Sequence, residues 1–363
     1  MEKLNNLIKS IKEANLDALL ISSEYSRYWL SELNSTAGWI LCTNCGERIL
    51  IIDGRYYFGL KANFPKNITK IVLATDYYTE LKDLLNKEQI KNLGFESEYL
   101  TYQSYINLKS KIEIKNLNLV PFKTIQLRMI KSEHEIEKLK KAANIITNIH
   151  QELEAFIKPG LTETDVANHI VFLSQKYNAD GLSFPSIVAW TKNAANPHYH
   201  PSSNQKIKEN GIVLVDMGVY YQGFASDMTR VFFVGDKTKI DQKIFEIYQI
   251  VKEAQQIGVD LVKPGVRTSE IHKQVFNHIE SKGYGKYFIH RTGHGLGIEV
   301  HELPNVADYD NTILKPGMVV TIEPGIYLPE VGGIRIEDDV LVGPNGPIVL
   351  TKNATKEINF IKN

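Results

Sequence analysis

The sequence predicts an α+β protein with two domains: a small N-terminal α/β domain over residues 1–128 and a larger domain over residues 129–363. Three observations predict this organisation. Short apolar runs alternate with helical stretches up to Arg128, a helix-starting pattern follows at Ser132, and one succession of helices and strands then occurs twice. A length of 363 residues also favours about two domains, each with its own core.

The N-terminal domain is predicted from short apolar runs that have the length of strands. Helical stretches such as residues 79–86 and 103–111 lie between some of these runs, which favours a mixed sheet in an α/β domain. The runs are residues 17–22, 38–43, 48–53, 70–74 and 117–121. This part of the sequence has no glycine-rich phosphate loop, so it does not favour nucleotide binding.

The larger domain contains an internal duplication. A capping box that begins at Ser132 opens a long helix towards Phe156. The succession of helix, Lys-Pro-Gly turn, helix and strand then occurs first around Lys158 and again around Lys263, about 105 residues later. The pattern therefore predicts two αα-ββ halves related by a pseudo-two-fold axis.

Each half ends a strand on an acidic residue and carries a second acidic residue further on. Asp216 ends the first strand, Ile212–Val215 being its apolar part, and Glu323 ends its counterpart. Asp227 lies in the interior of an apolar run over residues 224–234, and aspartate is costly to bury in a strand unless it is paired or binds a metal. Two facing halves would bring these carboxylates and Glu337 towards a common axis.

A glycine-rich segment between the two halves supplies histidines. Its sequence is HRTGHGLG from His290, and the glycines around His294 argue against a helix, so the two histidines do not form a helical zinc motif. Glycine on both sides allows a close approach to a ligand. In the last strand, Arg335 and Glu337 share one face, so the arginine either holds a metal-binding glutamate or forms a surface ion pair.

Together these side chains form an oxygen-rich group of candidate metal ligands. Such a group favours Mn²⁺, with Co²⁺ and Zn²⁺ as alternatives, and two divalent ions would offset the repulsion between four carboxylates. The five candidates are Asp216, Asp227, His294, Glu323 and Glu337.

Several classes of partner are not favoured by the composition. Lys plus Arg and Asp plus Glu both number 42, so no overall positive charge attracts nucleic acid or acidic membranes. No apolar run is long enough to span a membrane, and the N-terminal segment does not resemble a secretory signal, so we expect a cytoplasmic protein. Cys42 and Cys45 have CxxC spacing but no second pair, so we interpret them as two thiols near a hairpin turn.

The motifs resemble those of the pita-bread metallopeptidases, and more narrowly the Xaa-Pro aminopeptidase and prolidase branch. Three motifs in the expected order carry the resemblance: HxxxGHGLG from His290, IEPGIY from Ile322 and GIRIED from Gly333. It extends over essentially the whole chain, since residues 1–128 resemble the family's creatinase-like N-terminal domain, including the DGRY turn at Asp53.

The resemblance implies roles for individual residues. The five acidic and histidine candidates would bind two divalent ions, Asp227 and Glu337 bridging them. Glu323 would also transfer protons. The remaining catalytic candidates are His198, His290, His301 and Arg335. His200, two positions beyond His198, could reach the same side of the site.

The resemblance also implies an activity. It predicts an exopeptidase that hydrolyses the Xaa-Pro bond at the N-terminus of peptides by attack of a hydroxide bridging two metal ions. An Xaa-Pro dipeptidase is the alternative; we favour the aminopeptidase because Asn305 stands where prolidases carry an arginine for the dipeptide carboxylate. A non-catalytic binding module on the same fold is a third hypothesis. Family members commonly form dimers, so a homodimer is expected.

Overall fold

The computed structural model describes residues 2–361 of the chain. The chain divides into two compact units, Met1–Arg128 and Met129–Asn363. Each unit contains its own buried apolar clusters.

The N-terminal unit is built on a mixed sheet. Its strands are β1 (Ala18–Ile21), β2 (Trp39–Thr43), β3 (Arg48–Ile52), β4 (Lys70–Leu73), β5 (Asn92–Glu96) and β6 (Asn118–Phe122), in the sheet order β4-β3-β2-β1-β5-β6. Strand β1 runs antiparallel to β2 and parallel to β5, which confirms a mixed sheet. Its helices are α1 (Glu2–Glu13), α2 (Glu24–Ser31), α3 (Gly54–Ala62), α4 (Tyr77–Lys87) and α5 (Tyr102–Ile112).

Three elements of this unit were not anticipated from the sequence. Strand β5 contains Gly94, which weakens a strand pattern but is needed here because a Cβ atom would lie 2.6 Å from Leu16. Helix α3 begins at the segment interpreted as a turn, because Asp53 caps it by accepting a hydrogen bond from the N–H of Arg55 at 2.9 Å. Helix α2 is capped in the same way by Ser23.

The two cysteines are free thiols. Cys42 is buried in β2 and Cys45 is exposed in the following turn. This agrees with the interpretation of two separate thiols beside a hairpin.

The C-terminal unit contains four long helices and several small sheets among its described residues. The helices are α6 (Glu133–Phe156), α7 (Glu163–Lys176), α8 (Gln242–Asp260) and α9 (Thr268–Ser281). The strands are β7 (Gly181–Leu182), β8 (Ile187–Trp190), β9 (Gly211–Met217), β10 (Val219–Tyr221), β11 (Phe224–Ala225), β12 (Met228–Val234), β13 (Gly293–Gly295), β14 (Glu302–Val306), β15 (Val319–Ile322), β16 (Gly325–Leu328), β17 (Gly332–Arg335), β18 (Asp338–Gly343), β19 (Gly346–Val349) and β20 (Phe360–Ile361).

The sheets separate into two groups that follow the two halves. The first half forms the sheet β11-β10-β7 and three strands of the sheet β20-β12-β9-β8, to which β20 is added from the C-terminal end of the described chain. The second half forms β14-β13-β15-β18-β19 and β16-β17. The capping box at Ser132 is present, with Glu135 reaching back to the N-cap backbone, and it starts α6 as the sequence predicts.

Matching backbone contacts confirm the duplication. In the two Lys-Pro-Gly turns, Gly160 and Gly265 have φ angles of +96° and +89°, which a glycine adopts without strain. The N–H of Gly160 donates to Ile207 O, and the N–H of Gly265 donates to Leu314 O, both at 2.9 Å. Each half therefore closes its helix pair onto the following segment in the same way.

Each helix pair covers one apolar cluster. The cluster under α6 and α7 contains Ile146, Leu153, Ile170, Val213 and Val215. The cluster under α8 and α9 contains Ile247, Val251, Ile271, Val320 and Val340. The polar faces of the strands are thereby left for a cavity between the sheets of this unit.

Candidate metal centre

Five side chains proposed as metal ligands converge on one cavity of about 460 Å³ in the C-terminal unit. Asp216 lies in β9, His294 in β13, Glu323 directly after β15, and Asp227 and Glu337 in breaks between strands. The Nε2 atom of His294 lies 3.3 Å from Glu323 Oε1 and 3.7 Å from Asp227 Oδ2. Ligand atoms of Asp227, His294 and Glu337 all lie within 4.8 Å of one another, so this buried group could hold a metal ion.

Asp227 and Glu337 occupy equivalent breaks in the two halves. Residues 226–227 separate β11 from β12, and residues 336–337 separate β17 from β18. The sequence predicts one continuous strand through Asp227, and this is wrong. The N–H of Asp227 donates to Asp339 Oδ2 at 3.1 Å instead of to a neighbouring strand, and the N–H of Glu337 donates to Thr229 O at 3.2 Å. The breaks bring both carboxylates to the cavity wall.

Arg335 connects the two halves of the site. The guanidinium is buried, so the alternative of a surface ion pair is wrong. Its carboxylate partner is Asp216, at 2.6 Å, rather than the neighbouring Glu337. Nε of Arg335 donates to Thr229 Oγ1 at 3.0 Å, and Thr229 in turn donates to Glu337 Oε2 at 2.7 Å. Arg335 therefore orients Asp216 directly and Glu337 through Thr229.

The hydrogen bonds of His294 determine its tautomer. Its Nδ1 atom lies 3.0 Å from Gly295 O. A backbone carbonyl only accepts, so Nδ1 carries a proton and Nε2 is the nitrogen that faces Glu323 and Asp227. Facing two carboxylates, Nε2 requires a cation beside it, either a proton of its own or a metal ion. This arrangement suits a metal ligand.

The pKa values of the acidic side chains also favour a metal-binding site. Burial, reinforced by neighbouring carboxylates, raises the pKa of Asp227 and of Glu337 well above their ordinary values. Burial acts to raise the pKa of Glu323 as well, but His294 and other neighbouring positive groups hold that pKa at about 2. Oδ1 of Asp216 is buried without a hydrogen-bond partner among the described residues. The donor set therefore fits hard or borderline divalent cations.

Three histidines predicted to be catalytic also line the cavity. The ring of His301 lies 4.4 Å from that of His294, centroid to centroid. Burial, together with His294 and Arg291, lowers the pKa of His301 to about 4, so its ring is neutral near pH 7. Both nitrogens of His290 have protein partners, the carbonyl of Arg291 at 2.7 Å and the hydroxyl of Tyr327 at 2.8 Å. His198 is exposed at the cavity wall.

The remaining wall is mostly apolar, with one additional cation. Apolar side chains include Phe184, Ile187, Pro197 and Val300, and His200 is also present. Arg291 lines the same cavity and was not identified from the sequence. Its position inside the HRTGHG motif, next to His290, was the signal available.

Two further residues that the sequence reasoning missed hold these groups in place. Thr321 Oγ1 accepts from the N–H of His294 at 3.1 Å and donates to Glu323 Oε1 at 3.2 Å. Tyr327 Oη accepts from Arg335 at 2.9 Å. Thr321 could have been found from strand parity, since it lies two residues before Glu323 and shares its face.

Comparison with known families gives a match for each unit. Residues 137–344 match the description "Metallopeptidase family M24", and residues 3–130 match "Creatinase/Prolidase N-terminal domain". The chain belongs to metallopeptidase family M24. The resemblance drawn from the HxxxGHGLG, IEPGIY and GIRIED motifs is thereby confirmed, as is the predicted fold class.

Some relatives of this M24 chain are named Xaa-Pro aminopeptidases and others Xaa-Pro dipeptidases. It is 36% identical over 354 residues to a protein of Mycoplasma genitalium described as a putative Xaa-Pro aminopeptidase, covering 97% of each chain. It is 37% identical over 353 residues to the Xaa-Pro dipeptidase of Pyrococcus horikoshii, again covering 97% of each. A solved structure, the Xaa-Pro dipeptidase from Bacillus anthracis, has a TM-score of 0.92 and 38% identity, covering 99% of each chain.

These matches support a hydrolase that is a metallopeptidase of family M24. Membership of this family implies divalent metal ions, in agreement with the buried group of Asp227, His294 and Glu337. Within the described residues, no helix has both the length and the apolar character that crossing a membrane requires.

Proposed function

We propose that this M24 chain is an exopeptidase that hydrolyses the Xaa-Pro bond at the N-terminus of peptides. The observation that carries the proposal is the meeting of four carboxylates and one imidazole in a cavity with an otherwise largely apolar wall. Carboxylates crowded in this way repel one another, and two divalent ions would offset that repulsion. The position of these carboxylates in an open cavity gives a substrate access to those cations.

The proposed metal ligands are Asp216, Asp227, His294, Glu323 and Glu337, which would hold two divalent ions, with Mn²⁺ as the preferred species. When bound, the ions would polarise the scissile carbonyl and lower the pKa of a water molecule. The orientation of the ligands comes from the protein. Arg335 holds Asp216, Thr229 holds Glu337, and Thr321 holds both His294 and Glu323.

Glu323 and His301 have the properties that the chemistry requires of the chain. The carboxylate of Glu323 lines the cavity, with Oε1 3.3 Å from Nε2 of His294, so it is placed to accept a proton from water and deliver it to the leaving nitrogen. The neutral ring of His301 can donate an N–H hydrogen bond to the negative charge that develops on the carbonyl oxygen. We assign the neighbouring His198 to substrate contact and His290 to the wall beside it.

The cavity wall also supports selection of proline. Proline forms a tertiary amide without an N–H, so a site that selects it must contact the ring rather than an amide hydrogen. Phe184, Ile187 and Pro197 offer an apolar surface close to His198. We propose that this surface packs against the proline ring at the second position of the peptide.

Two substrate lengths fit this proposal. The neutral side chain of Asn305 favours the aminopeptidase, because it leaves that position open to longer peptides. The dipeptidase is the second candidate, and the likeness to the Bacillus anthracis and Pyrococcus horikoshii Xaa-Pro dipeptidases favours it. The cytoplasmic location and the homodimer stay predictions.

A peptide panel with defined metals tests the proposal. The protein, stripped with a chelator and reloaded with Mn²⁺, Co²⁺ or Zn²⁺, is assayed on Ala-Pro, Ala-Pro-Ala and Ala-Ala-Ala, and its metal content is measured. We expect two ions per chain and cleavage of the Xaa-Pro bond alone. Cleavage of Ala-Pro but not Ala-Pro-Ala would establish the dipeptidase. Absence of both metal and hydrolysis would instead establish the non-catalytic binding module.

A further inference from the structure

Arg291 supplies the cavity with a positive charge that the proposed hydrolysis does not use. It lies between His290 and the strand β13 that carries His294, and its side chain lines the same cavity as the metal centre. His301 lines the same cavity. A peptide bound in this cavity would therefore lie within reach of both side chains.

The partner of Arg291 is a neutral side chain. Nη1 of Arg291 donates to Asn305 Oδ1 at 2.5 Å. Asn305 is itself held in place, because its N–H donates to Asp310 Oδ2 at 2.8 Å and because it pairs with His294 in the β13–β14 ladder. The amide at position 305 thus orients the guanidinium without neutralising it.

Among residues 2–361, the charge of Arg291 has no counterion. Within residues 2–361, no carboxylate forms an ion pair with Arg291, and Asn305 is its only side-chain hydrogen-bond partner. A guanidinium has five N–H donors in a planar arrangement that matches the two oxygens of a carboxylate. At least one edge of this planar group therefore remains available to a ligand in the cavity.

We propose that Arg291, oriented by Asn305, binds a carboxylate of the peptide substrate. The proposal rests on the proposed peptidase function and narrows its substrate class to peptides with a negative charge near the scissile bond. That charge has two sources: the C-terminal carboxylate of an Xaa-Pro dipeptide, or an acidic side chain at the first residue of a longer peptide.

With Arg291 as the cation, Asn305 has a different role in substrate selection. A neutral residue at that position favours a site open to longer peptides only if no other cation binds the carboxylate. In the structure, Arg291 supplies the positive charge from the segment that precedes β13, which pairs with β14. Asn305 lies in β14 and accepts the hydrogen bond that orients the guanidinium. A site without arginine at position 305 can therefore still recognise a carboxylate.

Four matched substrates test the proposal on the metal-loaded full chain. Ala-Pro and its amide, Ala-Pro-NH₂, differ only in the C-terminal charge, while Asp-Pro-NH₂ and Asn-Pro-NH₂ differ only in the side-chain charge. Each is assayed with the wild type, with R291Q and R291K, and with R267Q as a control. Arg267 precedes α9 and donates to the carbonyl of Asn311, outside the cavity lining.

We expect R291Q to lower kcat/KM by about 10- to 100-fold on one of the two charged substrates, chiefly through KM, because a charge-assisted hydrogen bond is lost. Its activity on the matched neutral amide should stay within about twofold, R291K should restore part of the loss, and R267Q should match the wild type. Loss on Ala-Pro identifies the C-terminal carboxylate; loss on Asp-Pro-NH₂ identifies the acidic side chain. Equal effects of R291Q on charged and neutral substrates, or no effect on either, would overturn the proposal.

Failure of the peptidase proposal can be recognised separately. If the wild type cleaves none of the four peptides, the peptidase function is wrong, and the role of Arg291 is then decided by calorimetric titration of the same peptides into the wild type and R291Q. Binding that prefers the charged member of a pair, and loses that preference in R291Q, supports the carboxylate site. Binding without such a preference, or no binding, contradicts it.

Discussion

The two halves of the C-terminal unit share one scaffold, but the imidazole among the five proposed metal ligands comes from the second half. In the first half, β8 pairs with β9 so that Ala189 lies opposite Leu214, two residues before Asp216. Ala189 and Leu214 are buried and belong to a small apolar cluster. This part of the first half contributes packing and a carboxylate.

In the second half, the corresponding strand pair, β13 and β15, carries polar side chains at this position. Gly295 lies opposite Val320, so the preceding residue, His294, lies beside Thr321, two residues before Glu323. The N–H of His294 donates to Thr321 Oγ1, which in turn donates to Glu323. A polar pair thus occupies the sheet position that an apolar pair occupies in the first half.

The difference shows how a duplicated scaffold produces an asymmetric site. Both halves supply two carboxylates from equivalent positions, so the duplication itself brings four negative charges together. The imidazole of His294 and the hydroxyl of Thr321 that orients it both come from the second half. Four experiments test this comparison, in order of decreasing effect.

Removing the equivalent carboxylates Asp227 and Glu337 should have the largest effect. We expect Asp227→Asn and Glu337→Gln each to lose bound metal and to lower kcat/KM on an Xaa-Pro peptide by about 1000-fold or more, because each oxygen ligand is worth several kcal/mol. Elemental analysis and peptide hydrolysis measure the two losses. Asp260→Asn, an exposed residue of α8 bonded to Gln256, is the matched control. If only one of the two variants kept its full metal content, the two halves would not contribute equivalently to metal binding.

Acid should destabilise the first half through His150. This residue of α6 is buried against Phe232, and burial lowers its pKa to about 4. Unfolded histidine takes up a proton near pH 6.5, so the stability gained from the neutral ring is complete above that pH and is lost as the pH falls towards 4. We expect the wild type to lose about 2 kcal/mol relative to His150→Gln between pH 7 and pH 5, measured by urea unfolding.

Glutamine replaces His150 in that variant because glutamine occupies the matching position in the second half. Gln255 lies about 105 residues after His150, at the matching place in α8, and does not titrate. It is buried and donates to Asp338 at 2.9 Å. Parallel stability curves for the wild type and His150→Gln would show that His150 does not carry the acid sensitivity.

Substituting the residue two positions before Glu323 should have a moderate effect on activity. The equivalent substitution before Asp216 should not affect activity. Thr321→Val removes the hydroxyl that orients His294 and Glu323, and we expect a loss of about 10-fold in kcat/KM and weaker metal binding. Leu214→Val, at the equivalent place in the first half, should cost only about 1 kcal/mol of stability and leave metal affinity unchanged. Equal metal affinities for both variants would contradict the asymmetry.

The smallest expected effect concerns Glu163, the first residue of α7. Its carboxylate accepts from the N–H of Trp190 at 2.7 Å and from the N–H of Ser202 at 3.1 Å, at the two ends of the loop that carries His198. Glu163→Gln should raise KM about fivefold with little change in kcat, because the loop is held less firmly. A change confined to kcat would contradict a positioning role.

Thr268→Val is the comparison for Glu163. Thr268 begins α9 and donates to the carbonyl of Asp310 at 2.7 Å, so it also holds a segment that returns to its helix. That segment does not carry His198. We therefore expect no change in KM for Ala-Pro-NH₂, which lacks the carboxylate proposed to bind Arg291, and a change equal to that of Glu163→Gln would show that the loop contacts act through general stability.

The sequence was sufficient for the features that follow from local patterns. Apolar periodicity, the capping box at Ser132 and the repeated Lys-Pro-Gly turns identified the helices of both halves. Acidic residues at the ends of buried strands are costly, which made Asp216 and Glu323 candidates for a site. The interruption at Asp227 was missed because its cause, a hydrogen bond to Asp339, comes from more than one hundred residues away.

By itself, the amino-acid sequence determined the fold class, the duplication and the five candidate metal ligands, because these depend on periodicity and on the cost of burying charge. Only the tertiary structure decided which groups pair. It joined Arg335 to Asp216, faced Nε2 of His294 towards the carboxylates, and placed Arg291 in the cavity beside Asn305. Those pairings depend on strand register and on contacts between distant segments, which strand parity alone does not specify.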